Sequence, residues 1–139
     1  MTADVRRISK EEWAKYFCTE AHIVCFEQVR SPDMDRIDFA LLSFDKGNPS
    51  GFVTCREFDS ETLYWQYGGA FPNIAKGVAV WKNYSGFRDY SLANYKRIMT
   101  YIENTNIPML KMALQAGFRV IGTKTFKGDI LLELLNEPD

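Results

Sequence analysis

Along the chain's hydrophobic and polar positions, Asp4 to Ile8 is read as a short first strand. Ser9 followed by Glu12 has capping-box spacing, in which hydroxyl and carboxylate each satisfy an orphan backbone donor. A helix is expected next, with Trp13, Tyr16 and Phe17 at i, i+3 and i+4 as its apolar face. The pattern predicts a break near Thr19 and a second short helix over His22 to Gln28, before the loop signal Ser31-Pro32-Asp33. Strand-like runs follow at Arg36 to Phe44, Gly51 to Phe58 and the aromatic-rich Thr62 to Phe71. The connections Asp45-Lys46-Gly47-Asn48-Pro49 and Asp59-Ser60 are short, which predicts an antiparallel meander.

After the loop Phe71-Pro72-Asn73 the period lengthens. Lys76 to about Tyr90 is expected to be helical, with Val80, Trp81 and Tyr84 on one face and Gly86 as its weak point. Arg97 to Ile102 alternates as a strand. Pro108 suits a helix start, where its missing donor costs nothing. Met109, Met112 and Ala113 make that helix's inner face, and Gly117 suits a left-handed cap after Ala116. Phe118 to Thr125 and Ile130 to Leu135 are two last strands around the turn Lys127-Gly128-Asp129. The order β-α-α-β-β-β-α-β-α-β-β, uninterrupted by repeat, linker or low-complexity stretch, predicts one α+β (mixed α/β) domain over residues 1–139.

Composition narrows the class. The chain has 139 residues, 46% hydrophobic and 25% charged, which fits a soluble globular domain with a real core. A formal net charge of -1 offers no broad attraction for nucleic acid. The three cysteines, Cys18, Cys25 and Cys55, are odd in number, and with His22 the only histidine they fit no metal motif. Reduced thiols and a cytoplasmic location are expected. The polar start, MTADVRRISKEEW, lacks the apolar stretch of a signal peptide, and no apolar run nears the ~20 residues that cross a bilayer.

The segment Tyr101 to Gly122, YIENTNIPMLKMALQAGFRVIG, resembles a pattern of the GNAT N-acyltransferases: strand, asparagine, helix, Gly-Phe. Asn106 precedes Gly117-Phe118 by that family's spacing, and Gly122 fits the glycine that often follows. An ordinary strand-helix-strand unit capped by Asn and Gly is the plainer alternative. The resemblance implies the GNAT fold, a central mixed, mostly antiparallel sheet flanked by helices. It also implies acetyl-CoA as cosubstrate and an amine of a small molecule or a protein as acceptor. A module that binds CoA without catalysis, or an interaction domain, is the alternative.

The family's pyrophosphate loop, Gln/Arg-x-x-Gly-x-Gly/Ala, is similar to Ile74-Ala75-Lys76-Gly77-Val78-Ala79. Gly77 and Ala79 match, Lys76 adds charge, and Ile74 replaces the usual Gln or Arg. Gly69, Ala70 and Phe71 lie where the family's fourth strand parts from the fifth to admit the pantetheine arm, and two adjacent glycines permit a bulge there. A strand end that simply turns is the alternative. Val78 and Asn106 complete the expected cofactor set. The tyrosine that protonates the leaving thiolate in many relatives is replaced by Ala113, and the strand-four glutamate position falls near Leu63. Glu61, on the same strand face, is the nearest substitute, or a turn carboxylate beside Ser60. Glu103 reads as a cleft or surface acid, and Tyr84 and Tyr90 as core aromatics or cleft donors. Glu27 and His22 fall in the region where the family binds acceptors. Trp65 and Trp81 are read as core, and Tyr95-Lys96-Arg97 as a solvated strand entry. Exposed aromatics near the fourth and fifth strands would permit a homodimer.

Overall fold

The computed structural model describes residues 4–26, 36–71 and 78–138. The elements are β1 (Asp4–Ser9), α1 (Lys10–Glu12), a π-helical turn (Trp13–Phe17), α2 (Cys18–Phe26), β2 (Phe39–Asp45), β3 (Asn48–Glu57), β4 (Thr62–Ala70), α3 (Val78–Asn94), β5 (Arg97–Glu103), α4 (Ile107–Gln115), β6 (Arg119–Phe126) and β7 (Asp129–Asn136). The seven strands form one sheet in the order β1-β2-β3-β4-β5-β7-β6. Every neighbouring pair is antiparallel except β4 with β5. The expected order and the mixed, mostly antiparallel sheet are therefore present.

Two crossovers set the layers. β4-α3-β5 and β5-α4-β6 both join parallel strands and run the same way across the sheet, so a shared right-handedness puts α3 and α4 on one face. Arg88 Nη1 on α3 donates to the Ala116 carbonyl after α4 at 3.4 Å, tying the two. Strand alternation divides the core accordingly. Leu41, Val53, Leu63, Ile98 and Leu134 face α3 and α4 with Tyr84, Phe87, Ala113 and Phe118. Ala40, Leu42 and Phe52 face the other way, against Trp13, Cys18 and Ala21 of the first helical run.

That run differs from the expectation. No break occurs at Thr19: helix continues through residues 10–26, and the irregularity is the π turn four residues earlier. Ser9 Oγ accepts from the Glu12 N–H at 3.1 Å, as the capping spacing requires. Trp13 is fully buried, but Tyr16 is 62% exposed. A π turn adds a residue to the winding and rotates the face, so i, i+3, i+4 counting fails across it. α3 begins at Val78 and ends at Asn94, and Gly86 does not interrupt it. Residues 83–87 are all buried, because the helix packs on the sheet and against α4, so no clean apolar stripe marks it.

The β2–β3 and β6–β7 hairpins turn alike. Lys46 and Gly47 have φ of 51° and 82°, and Lys127 and Gly128 have 51° and 85°. Positive φ at both central residues is the two-residue turn whose twist matches paired strands. β2 begins at Phe39, not Arg36, and β3 reaches back to Asn48. The α4 region follows the expectation: Asn106 Oδ1 accepts from the Met109 N–H, Gly117 has φ of 99°, and Phe118 is buried. Cys18, Cys25 and Cys55 form no disulfide. Among the described residues, no helix is long and apolar enough to cross a membrane.

Candidate functional site

The site begins with one extra residue. β3 and β4 pair Thr54 with Tyr67 and Cys55 with Trp65, which leaves Gln66 unmatched as a bulge. On its other edge, β4 pairs with β5 only from Thr62↔Arg97 to Trp65↔Thr100. Thr100 Oγ1 donates to the Trp65 carbonyl at 3.0 Å, the last tie between them. A bulge bends its strand and increases the local twist. Beyond it, residues 66–70 stay with β3 while residues 101–103 stay with β7, and the strands part. That edge of β4 keeps backbone donors and acceptors that no strand among the described residues satisfies. The gap is a cleft of about 810 Å³, a size usual for small-molecule sites.

The cleft runs through the sheet from one face to the other. Trp65 packs towards α3 and α4, whereas Tyr67, just past the bulge, packs with the cluster under α2. Asn83, Tyr84 and Phe87 of α3 and Met109 and Met112 of α4 line one mouth. Val24 and Cys25 of α2, with Tyr64, Tyr101, Lys124 and Phe126, line the other. α2 approaches β4 closely because residue 69 has no side chain: a Cβ there would lie 2.9 Å from Val24 Cγ1 and 3.2 Å from the Phe52 ring. Cys25 Sγ donates to the Gly68 carbonyl at 3.7 Å across this contact. Burial pushes the Cys25 thiol up to about 11, so it is not a ready nucleophile.

The most distinctive polar atom is the Tyr84 hydroxyl. The residue is 7% exposed, and its ring stands edge-on to Trp65 at 5.4 Å. The hydroxyl has no hydrogen-bond partner among the described residues, although buried phenols usually find one. Burial pushes this phenol above its usual value, so it stays protonated, and hence a donor, through neutral pH. Its neighbour Asn83 fixes the helix. Ser50 Oγ donates to Asn83 Oδ1 at 3.0 Å, Asn83 Nδ2 donates to the Ser50 carbonyl at 3.3 Å, and the Ser43 and Ser50 hydroxyls are 2.8 Å apart. Trp65 Nε1 donates to Ser91 Oγ at 3.1 Å, one more tie from strand to helix. On the other mouth, Tyr64 and Tyr101 meet edge to face at 5.9 Å, and Lys124 Nζ lies 5.1 Å over the Tyr101 ring. Burial pushes Tyr64 up to about 12.

Of the expected residues, Tyr84, Glu103, Gly69, Ala70 and Asn106 line the cleft. Asn106 already spends its Oδ1 on the helix cap. Val78 and Ala79 open α3, whose next residue, Val80, lines the cleft. Phe71 is not at the cleft: its ring packs 5.3 Å from Phe52 under α2, and its N–H donates to the Ser50 carbonyl at 3.1 Å. Glu61 is also remote. Its carbonyl accepts from the Lys96 and Arg97 N–H groups, and its carboxylate lies 3.8 Å from Lys96 Nζ and 3.5 Å from Arg97 Nη2. Parallel strands that part at their C-terminal ends leave Glu61 at the closed end, ~13 Å along β4 from Trp65 at ~3.3 Å per residue. The same contacts make Tyr95-Lys96-Arg97 the strand entry expected. Ala113 and Leu63 are fully buried core. His22 is fully buried, Tyr90 and Trp81 pack against the core, and of these three none lines the cleft. Ile74, Lys76, Gly77, Glu27 and the loops at residues 31–33 and 72–73 lie outside the described residues.

Sequence reasoning missed Gln66, Tyr101, Lys124 and Phe126. The Gly68-Gly69 pair hinted at a bulge but not at its place, which depends on the β3 register. Lys124 reaches the Tyr101 ring across β7, which lies between β5 and β6.

No family sequence model matches the chain, and no curated protein matches it by sequence. Solved structures do match in shape. An acetyltransferase of the GNAT family from Bacillus cereus ATCC 10987 superposes with a TM-score of 0.70 at 17% identity, covering 99% of this chain and 98% of that one. A spermidine N-acetyltransferase chimera from Vibrio cholerae and hSSAT gives 0.74 at 12% identity, covering 99% and 96%. AAC(6')-Ib in complex with ribostamycin and coenzyme A gives 0.70 at 13% identity, covering 99% and 94%. Likeness at such identities is likeness of fold, and the fold of this chain is that of the GNAT N-acetyltransferases.

Proposed function

We propose that the chain transfers an acetyl group from acetyl-CoA to an amine of a small molecule or a protein. The observation that carries this is the parting of β4 from β5 at the Gln66 bulge, with Tyr84 lining the cleft it opens and its buried hydroxyl unpartnered among the described residues. The residues present fit the cosubstrate. A strand edge with free amide groups suits an arm made of amides, and the start of α3 suits a diphosphate. Gly69 and Ala70 would hold the arm, and Lys76, Gly77, Val78 and Ala79 the phosphates. When bound, acetyl-CoA supplies an acetyl thioester and a thiolate leaving group.

Such a transfer forms a C–N bond and breaks a C–S bond, and the amine sheds a proton to solvent or to a carboxylate such as Glu103. The protein must donate to the charge that develops on oxygen or sulfur. Tyr84 can do so, in a particular way. An unperturbed thiol titrates near 8.5, well below a phenol raised by burial, so full proton transfer from Tyr84 runs uphill. Tyr84 therefore acts as a fixed hydrogen-bond donor, and the thiolate takes its proton from water.

Calorimetry with acetyl-CoA, followed by thiol release with a panel of amines, tests the reading. Tyr84→Phe should bind acetyl-CoA as the parent does and turn over about 10²-fold more slowly, the usual effect of losing one such donor. No binding at millimolar acetyl-CoA would overturn the proposal. A second reading, a module that binds CoA without turnover, is favoured by Ala113, a buried core residue where the family resemblance places its tyrosine. Binding without thiol release to any amine would select it.

A further inference from the structure

The second mouth of the cleft has a chemistry of its own. It opens on the face of β5, β7 and β6 opposite α4. Register places Tyr101 beside Glu133, Glu103 beside Leu131, Leu131 beside Lys124, and Asp129 beside Phe126. Alternation points these side chains to the same face. Lys124 starts level with Glu103, yet its ammonium sits over the ring of Tyr101, two positions back towards the point where the strands part. Lys127 rests over the ring of Phe126 in the same manner, at 5.3 Å. Phe126 is 53% exposed and lines this mouth of the cleft.

Both signs of charge stand here without neutralising one another. Lys124, Lys127, Glu103, Asp129 and Glu133 form no ion pair with any described residue, although other charged residues of the chain do. A polycation would meet two uncompensated ammonium groups, and a simple amine would leave both lysines without an anion. A ligand that carries both signs answers both. Tyr64, Tyr101 and Phe126 add flat apolar surface for its remainder. Resting on the acyl-transfer reading, and naming its acceptor, we propose that the acceptor is a zwitterionic amino acid with an aromatic side chain. Its ammonium faces Glu103 and Asp129, and its carboxylate faces Lys124 and Lys127.

The test is binding, separate from turnover. L-phenylalanine, phenethylamine, 3-phenylpropionate and spermidine are titrated calorimetrically into the protein with and without CoA. Phenylalanine should bind at least about tenfold more tightly than either fragment, one charge contact being worth about that factor. The double variant Lys124→Met, Lys127→Met should bring phenylalanine down to the level of phenethylamine, and Glu103→Gln should bring it towards 3-phenylpropionate. Circular dichroism confirms that each exposed substitution leaves the fold intact. Phenethylamine or spermidine binding as tightly as phenylalanine would overturn the inference, as would an unchanged affinity in the lysine variant or no binding of phenylalanine. Failure of CoA alone to bind would instead sink the acyl-transfer reading, and the phenylalanine titration without CoA reads the vestibule independently.

Discussion

Replacing Gly51 by alanine should be costly. A Cβ at residue 51 would lie 2.8 Å from Asn83 Nδ2, 3.0 Å from Ser43 Oγ and 3.1 Å from the Gly69 carbonyl. The first contact is too close to persist, and the polar atoms around it are already committed to one another. Overpacking a tight interior costs about 1–3 kcal/mol. Weakening, without breaking, the two Ser50–Asn83 hydrogen bonds adds about 1 kcal/mol in all. The expected loss is therefore about 2–4 kcal/mol, read from urea denaturation at unchanged m value. A chain of this size should then melt roughly 6–15 °C lower. The mechanism is checked by a double-mutant cycle with Asn83→Ala, which removes the obstructing amide. The alanine at residue 51 then enters vacated space, so the double variant should be more stable than the sum of the singles predicts, by about 1 kcal/mol or more. A Gly51→Ala protein within about 0.5 kcal/mol of the parent would refute the reasoning, as would strict additivity.

Cys25, pushed up from 9.0 to about 11, should be alkylated by iodoacetamide at pH 8 about 100-fold more slowly than an unperturbed thiol. Its rate should still rise beyond pH 9, and mass-spectrometric mapping at several pH values would expose a plateau there. Tyr84, its phenol raised by burial, should remain a donor past the usual tyrosine range, so turnover should show no falling alkaline limb near pH 10. Glu137 is held below the usual carboxylate value chiefly by the hydrogen bond from Arg97. Its contribution to stability is thus present above the unfolded glutamate value of 4.5 and is lost as pH falls through the folded one. Thermal melts of Glu137→Gln should accordingly show a shallower acid-side decline below about pH 4.5.

Legibility in the sequence followed the range of the forces involved. Turn and cap chemistry is local, so Lys127-Gly128, Asn106 and Gly117 were readable from their own neighbourhoods. Alternation along β5 was equally plain, because one face is buried under the helices and the other is only partly covered. Tyr16 misled because a π turn changes the helical count without a residue type that announces it. α3 was blurred because it is buried around most of its circumference. In the site, Glu61 immediately precedes the right strand but stands at its wrong end. Which end of two parallel strands opens depends on a bulge whose position is set by pairing with a third strand. Lys124 and Tyr101 are distant in sequence and meet through the order of strands, which no local pattern encodes.

Gln66 separates having this fold from having a use for it. Trp65 and Tyr67 pair with consecutive residues of β3, and they already point to opposite faces, as adjacent strand residues should. A gene that lost this single codon would therefore encode a more regular sheet, with every other β3–β4 partner kept. What would vanish is the bend that parts β4 from β5, and with it the opening through the sheet. Within a lineage, binding at this place could then be gained or lost by one in-frame indel while the rest of the sequence drifted freely. A count of residues between Thr62 and Gly68 would be a better marker of a ligand-competent descendant than the identity of any side chain lining the cleft.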